Sequence, residues 1–177
     1  VNGFGPLGPD VNRTMVEVAA QARGGVANLC GPRDGLAMMP GATTADGTGA
    51  IGFALGIMTA LLERERHGTG QSVSTSALGA QIFIQSWEIQ QCILTGESLQ
   101  RAGSYMPNIR GPYGIYEAKD GGMFLFTLVG DEGWALLCEK GGDPSLAKDE
   151  NWNDAFKRMG AVPEMQSEEA VLDVRGR

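Results

Sequence analysis

Residues 45–71 read ADGTGAIGFALGIMTALLERERHGTGQ, and this stretch decides the fold. Asp46-Gly47-Thr48-Gly49 is a small, turn-forming lead. From Ala50 to Arg66, the residues Ile51, Leu55, Met58 and Leu62 recur at spacings of four, three and four, the period of one apolar helix face. Glu63-Arg64-Glu65-Arg66 closes that helix with charge. Gly68 is a natural stop, because a residue without Cβ readily takes the left-handed conformation that ends helices. Gln71 to Ser76 then reads as a short strand in which Val73 is the large apolar residue.

Upstream, Val18, Ala22, Val26 and Leu29 predict a helix over Met15 to Leu29, with Gly24-Gly25 marking close packing or a kink. Cys30 to Ala45 reads as loop, punctuated by Pro32, Gly35, Pro40 and Gly41. Val1 to Arg13 is turn-rich and contains Gly3-Phe4-Gly5-Pro6-Leu7-Gly8, which spells the GxGxxG dinucleotide fingerprint. That motif requires a preceding strand and a following helix; Pro6 and Pro9 deny the helix, so the segment is a loop.

Downstream, Leu78 to Leu94 reads as a helix carrying Ile82, Trp87, Ile89 and Ile93, long enough to be a strut between two bodies. Gly96 to Pro112 is a connection. The period then changes to two: Tyr113 to Ala118, a Lys119-Asp120-Gly121-Gly122 turn and Met123 to Val129 predict a hairpin. Asp131 to Lys140 and Asn151 to Met159 read as short helices, and Ser167 as the cap of another. The expectation is an α/β chain: residues 1–77 in a larger body, 78–102 a helical linker and 103–177 a smaller α+β domain.

Composition narrows the function. The chain has 177 residues, 42% hydrophobic and 20% charged, with a formal net charge of −7, so a real core is possible. The acidic balance, without a run of Lys or Arg, argues against nucleic acid and anionic membranes. Three separated cysteines suit a reducing compartment, so a cytoplasmic location is expected. With one histidine, a zinc site or a His-dependent triad has little to draw on. The opening residues Val1 to Pro6 have neither a charged nor an apolar leader pattern, so no signal peptide is expected. The longest apolar run, Gly49 to Leu62, is short for a bilayer and broken by glycines, so no membrane association is expected. Both ends read as cut.

Asp46 is the leading candidate for chemistry. It stands ahead of a helix between small neighbours, where backbone N–H groups favour an anion, either its own carboxylate or an oxyanion formed beside it. Its plainer reading is a helix N-cap. Glu17 reads as an acid placed well against a helix dipole. His67 reads as a helix C-terminal cation, and Trp87, Trp134 and Trp152 as core or interface. Both a GxSxG elbow and a GK[ST] phosphate loop are absent.

An ordered set of short pieces carries a family resemblance. It runs from Gly3-Phe4-Gly5 and Gly8-Pro9 through Glu17, Gln21-Ala22, Gly24-Gly25, Ala45-Asp46 and Leu61-Leu62-Glu63-Arg64. It continues with Gly68-Thr69-Gly70-Gln71 and ends on Pro112-Tyr113-Gly114-Ile115-Tyr116 and Lys119-Asp120-Gly121. In this order the chain resembles the class III CoA-transferases, the formyl-CoA and carnitine-CoA type. The resemblance implies part of a Rossmann-like large domain joined by the helical linker to the small domain, and an interlocked homodimer. It places the nucleophilic aspartate on Asp46, a supporting acid on Glu17 and a CoA-lining stretch on Arg13, Thr14, Met15 and Val16. The implied reaction moves CoA between carboxylic acids through a mixed anhydride and an aspartyl-CoA thioester. A CoA thioester is thus the substrate, and neither a metal nor a tightly bound cofactor is called for.

Two departures bear on substrate and reaction. The glycine-run loop of the formyl-CoA branch is absent, since Arg101 to Gly111 contains only Gly103 and Gly111. The related α-methylacyl-CoA racemases carry a Gly-His-Asp signature that would fall on Met15-Val16-Glu17, where the acid is changed and its neighbours do not fit. Their histidine would lie upstream of Val1. A non-enzymatic interaction subunit is the third alternative.

Overall fold

The computed structural model describes residues 1–109, 112–127 and 130–159. The helix expected from Ser167 and the end of the second hairpin strand at Val129 lie outside the described residues. The chain divides into two compact units, Val1–Arg101 and Ala102–Arg177.

The first unit is helical. Helix α1 spans Glu17–Gly24 and α2 spans Val26–Leu29. The expected single helix is broken at Gly25, whose φ of 98° is open to glycine and ends α1 as a left-handed cap. Ala20, Gln21 and Ala27 are buried, whereas Val18 is exposed.

Helix α3 spans Thr44–His67, starting well before Ala50, and ends on Gly68 with its N–H donating to the Arg64 carbonyl at 2.8 Å. The apolar row that marks the helix in the sequence is not the face packed within this chain. Ile51 and Leu55 are 73% and 67% exposed, and Met58 and Leu62 are exposed with them. The packed face is the glycine stripe. A Cβ on Gly56 would meet Val73 at 2.7 Å, while Gly52 faces Thr75 and Gly49 faces Ala80. The extended segment 71–76 therefore lies along the stripe. It pairs only through an isolated parallel bridge between Asn2 and Ser76, so the expected strand is not formed. By length and composition α3 is long and apolar enough to cross a membrane, contrary to the reading of Gly49 to Leu62 as too short. Its extra turns at both ends make the difference.

Ser76 caps α4, Ala77–Ile84, by accepting from Gly79 N–H at 3.0 Å; α5, Ser86–Thr95, follows after a break at Gln85. The single helix expected over Leu78 to Leu94 is thus two. Helix α4 packs on α1 and α3. The α1 crossing is close, since a Cβ on Gly24 would sit 2.4 Å from Gln81 Cβ.

In the second unit, β1 (Gly114–Glu117) and β2 (Met123–Phe126) form the expected antiparallel hairpin, with Tyr116 opposite Phe124. Helix α6 spans Asp131–Gly141, a 3-10 turn covers Leu146–Lys148, and α7 is the single turn Ala155–Arg158, shorter than expected. Trp134, Cys138 and Trp152 form the core with Leu146 and Ala147 against them. Arg158 is fully buried, donating to the Trp152 carbonyl at 2.7 Å and to Asp131 at 2.6 Å, with its guanidinium over the Trp134 ring. Trp134 and Trp152 are core residues as expected; Trp87 is 52% exposed. The two-stranded hairpin is the only sheet among the described residues, so helices dominate this part of the α/β fold.

Candidate active site

The start of α3 is where the candidate residues meet. The N-cap position is Thr43, whose side chain makes no capping bond. Asp46 is the third residue of the helix rather than its cap, and it is exposed. The cap comes from another helix. Glu17, the first residue of α1, reaches across so that Oε1 accepts from Ala45 N–H at 2.9 Å and Oε2 from Asp46 N–H at 2.7 Å. One carboxylate thereby satisfies two of the orphan donors at the helix start and sets its charge against the positive end of the dipole.

This corrects one expectation. The N–H groups of Ala45 and Asp46 are occupied by Glu17, and Gly47 N–H by the Thr43 carbonyl at 3.0 Å, so they do not form an open cradle for an oxyanion. Burial works to raise the Glu17 pKa. Hydrogen bonds from Ala45, Asp46, the Gln21 amide and Thr44 outweigh it and hold the carboxyl below the ordinary glutamate range.

Three buried glutamines support this junction; Gln21 stood in the sequence only as part of an ordered motif, and Gln81 and Gln85 were not singled out. Gln21 Nε2 donates to Glu17 Oε1 at 2.5 Å and to the Ala42 carbonyl at 2.7 Å. Gln81 Nε2 donates to Thr44 Oγ1 at 3.1 Å, and Gln85 Nε2 to the carbonyls of Gly24 and Gln81, both at 2.8 Å. Gln81 is the polar residue in the otherwise apolar run Ala77–Ile84, the one signal that pointed to it.

Arg13, Thr14, Met15 and Val16 form the non-helical lead into α1. Arg13 is exposed and paired with Asp10 at 3.2 Å. Met15 lies against Gly3, where a Cβ would approach to 2.6 Å, and Val16 is exposed. The structure thus joins Glu17 to Asp46 directly and leaves the preceding stretch at the edge of the same junction. Beside Asp46 opens a largely apolar cleft of about 310 Å³ along α3, walled by Gly49, Phe53, Ala54, Ile57 and Ala77. Arg101 clamps the loop after α2 by donating to the Pro32 and Gly35 carbonyls and to Asn28 at 3.2, 2.8 and 3.2 Å. His67 lies in the last turn of α3, 3.9 Å from Glu63. Among the described residues no group of three His, Cys, Asp or Glu comes together in a form that could hold a metal.

The sequence model of CoA-transferase family III matches residues 1–172. The chain belongs to that family. It is 33% identical over 163 residues to a succinyl-CoA:mesaconate CoA-transferase of Haloarcula hispanica, covering 90% of this chain and 40% of the relative. It is 31% identical over 149 residues to a succinyl-CoA–D-citramalate CoA-transferase of Chloroflexus aurantiacus, covering 84% of this chain and 37% of the relative. A crystal structure of a CAIB/BAIF family protein from Brucella suis superposes with a TM-score of 0.68 at 25% identity, over 99% of this chain and 48% of that one. The chain spans about two-fifths of the length of the curated family III relatives it matches.

Proposed function

We propose that the protein moves CoA between carboxylic acids, with Asp46 as the covalent nucleophile. The observation that carries this reading is the meeting of Asp46 and Glu17 at the start of α3. Glu17 takes up the adjacent backbone N–H groups, while the Asp46 carboxylate stays exposed beside a cleft. The Asp46 carboxylate attacks the thioester carbonyl and expels CoA thiolate, giving a mixed anhydride. The thiolate attacks the aspartyl carbonyl and releases the donor acid, leaving an aspartyl-CoA thioester. The acceptor carboxylate runs the sequence in reverse. A carboxylate nucleophile needs no histidine partner, which suits a chain with one.

The relatives' names favour succinyl-CoA as donor and another small dicarboxylic acid as acceptor. Arg13, Thr14, Met15 and Val16, running into Glu17, are assigned to the edge of the CoA site. We place the enzyme in the cytoplasm as an interlocked dimer. Three free thiols suit the location, and the exposed apolar residues of α3 and α5 offer surface for the assembly. Against proton exchange of the racemase type stands the engagement of both Glu17 oxygens in hydrogen bonds, which leaves it poorly placed as a mobile base.

The test is to incubate the full-length protein with succinyl-CoA, quench with hydroxylamine and examine the Asp46 peptide by mass spectrometry. A hydroxamate at Asp46 is expected. Turnover with Asp46 unmodified removes the covalent mechanism, and solvent deuterium entering the α-carbon of a branched acyl-CoA without an acceptor acid makes the protein a racemase.

A further inference from the structure

We propose that Gln21 and Gln81 are positioning residues for Asp46, holding residues 42–46 in the geometry from which its carboxylate attacks. The inference rests on Asp46 being the nucleophile and adds two residues that never touch substrate. Gln21 and Gln81 are 1% and 0% exposed, in a core otherwise built from Ala20, Ala27, Ala45 and Ala80. Burying an amide is unfavourable unless its bonds are made, and the carbonyl oxygens of both residues lack a hydrogen-bond partner. An apolar side chain of equal size would avoid that cost.

What both amides do have in common is the destination of their N–H groups. Gln21 donates to Glu17 Oε1 and the Ala42 carbonyl, and Gln81 to Thr44 Oγ1. Glu17 in turn accepts from Ala45 and Asp46 N–H. The donors therefore converge from α1 and α4 on the five residues that end at the nucleophile. Gln85 extends the line, fixing the Gln81 backbone and the Gly24 carbonyl at the helix crossing. A free glutamate side chain samples several rotamers. With Gln21 bonded to one oxygen, its carboxylate is fixed at the angle that caps two adjacent N–H groups. Orientation of this kind matters for covalent attack, where a displacement of about 1 Å can lower the rate roughly a hundredfold.

Gln21→Met and Gln81→Met keep the volume and delete the donors, and Thr44→Val removes the acceptor of Gln81 at the half-buried rim without disturbing the core. Each is made in the full-length protein, alone and with Glu17→Gln. Three quantities are read: the single-turnover rate of aspartyl-CoA formation at Asp46, kcat with the KM for acyl-CoA, and the melting temperature.

Gln21→Met is expected to slow adduct formation and kcat about tenfold with KM changed less than about twofold, the size of one charge-assisted hydrogen bond. In the Glu17→Gln background it should add less than about a twofold further loss, because Gln21 acts through that carboxylate. Thr44→Val is expected to slow the same step about threefold, and to remove most of the effect of Gln81→Met. Variants that melt earlier yet form the adduct at the wild-type rate overturn the positioning role and leave two purely structural amides. Equal losses with and without the Glu17 carboxylate overturn it as well. If Gln21→Met does not fold, Thr44→Val decides, and its wild-type adduct rate overturns the proposal. Failure of the wild type to form an adduct while it turns over defeats the Asp46 reading itself. Normal adduct formation in every variant defeats only the positioning.

Discussion

Asp46 and Glu17 are 29 positions apart in the chain and are joined by a single 2.7 Å hydrogen bond from a backbone N–H to a carboxylate. That bond gives Glu17 a measurable signature. Its pKa is held down in the folded state, so its stabilisation is complete above the ordinary glutamate value of roughly 4.3 and is lost as pH falls through the lower folded value. Glu17→Gln keeps one acceptor but turns an NH2 group toward a backbone donor, at a cost of about 1 kcal/mol on the scale of other lost caps. Urea midpoints at pH 6 and pH 3.5 check this: the gap between wild type and variant should be largest at pH 6 and shrink at pH 3.5. Parallel curves would mean that Glu17 is not the titrating cap. The sequence showed both acids, and the resemblance carried by the ordered motifs implied a role for each. It showed nothing of the bond between them, because neighbouring residues do not encode which helix start a side chain reaches.

The elements of the first unit meet through small residues. Gly24 on α1 lies against Gln81 on α4, and Gly49, Gly52 and Gly56 on α3 receive Ala80, Thr75 and Val73. Glycine in a helix interior costs about 1 kcal/mol relative to alanine, so a stripe of it is retained for close approach. Gly24→Ala is therefore expected to force α1 from α4 and lower stability by roughly 1–3 kcal/mol. Gly47→Ala, with nothing within 4 Å of the added carbon, should raise it by about 0.5–1 kcal/mol. Thermal melts of the two variants should shift in opposite directions; equal shifts would show that the crossing tolerates a methyl group. The periodicity of Ile51, Leu55, Met58 and Leu62 correctly marked a helix, while the face packed within this chain is the row of glycines. A hydrophobic stripe records that a face is to be covered, and does not say by which part of an assembly.

At the scale of the whole molecule the two units have different cores. The first is made of alanines, glycines and buried amides; the second is built on Trp134, Trp152 and Cys138 with the Arg158 guanidinium among them. Tryptophan emission thus reports mainly on the second unit, and far-ultraviolet dichroism mainly on the helices of the first. Arg158→Ala removes hydrogen bonds to the Trp152 carbonyl and Asp131, each involving a charged donor, and should destabilise the second unit by about 2 kcal/mol. The emission midpoint in urea should fall while the aspartyl-CoA adduct still forms in the folded protein. A lowered dichroism midpoint with unchanged emission would contradict this division of cores. Burial raises the Cys138 thiol pKa, and nearby Asp143 adds to the effect. Slow labelling of this thiol before unfolding provides an independent readout of the same core.

By itself the sequence determined the family, the hairpin with its Asp120-Gly121 turn, the helix stop at Gly68, and Asp46 as the residue to test. These are carried by local chemistry or by ordered motifs, both of which survive in a linear string. Only the tertiary structure decided that Glu17 caps the helix bearing Asp46, that three glutamines brace that junction, and that α3 packs on its glycines. Those outcomes depend on which surfaces meet across tens of residues, and a contact of that kind leaves its trace on both partners without naming either in the sequence of the other.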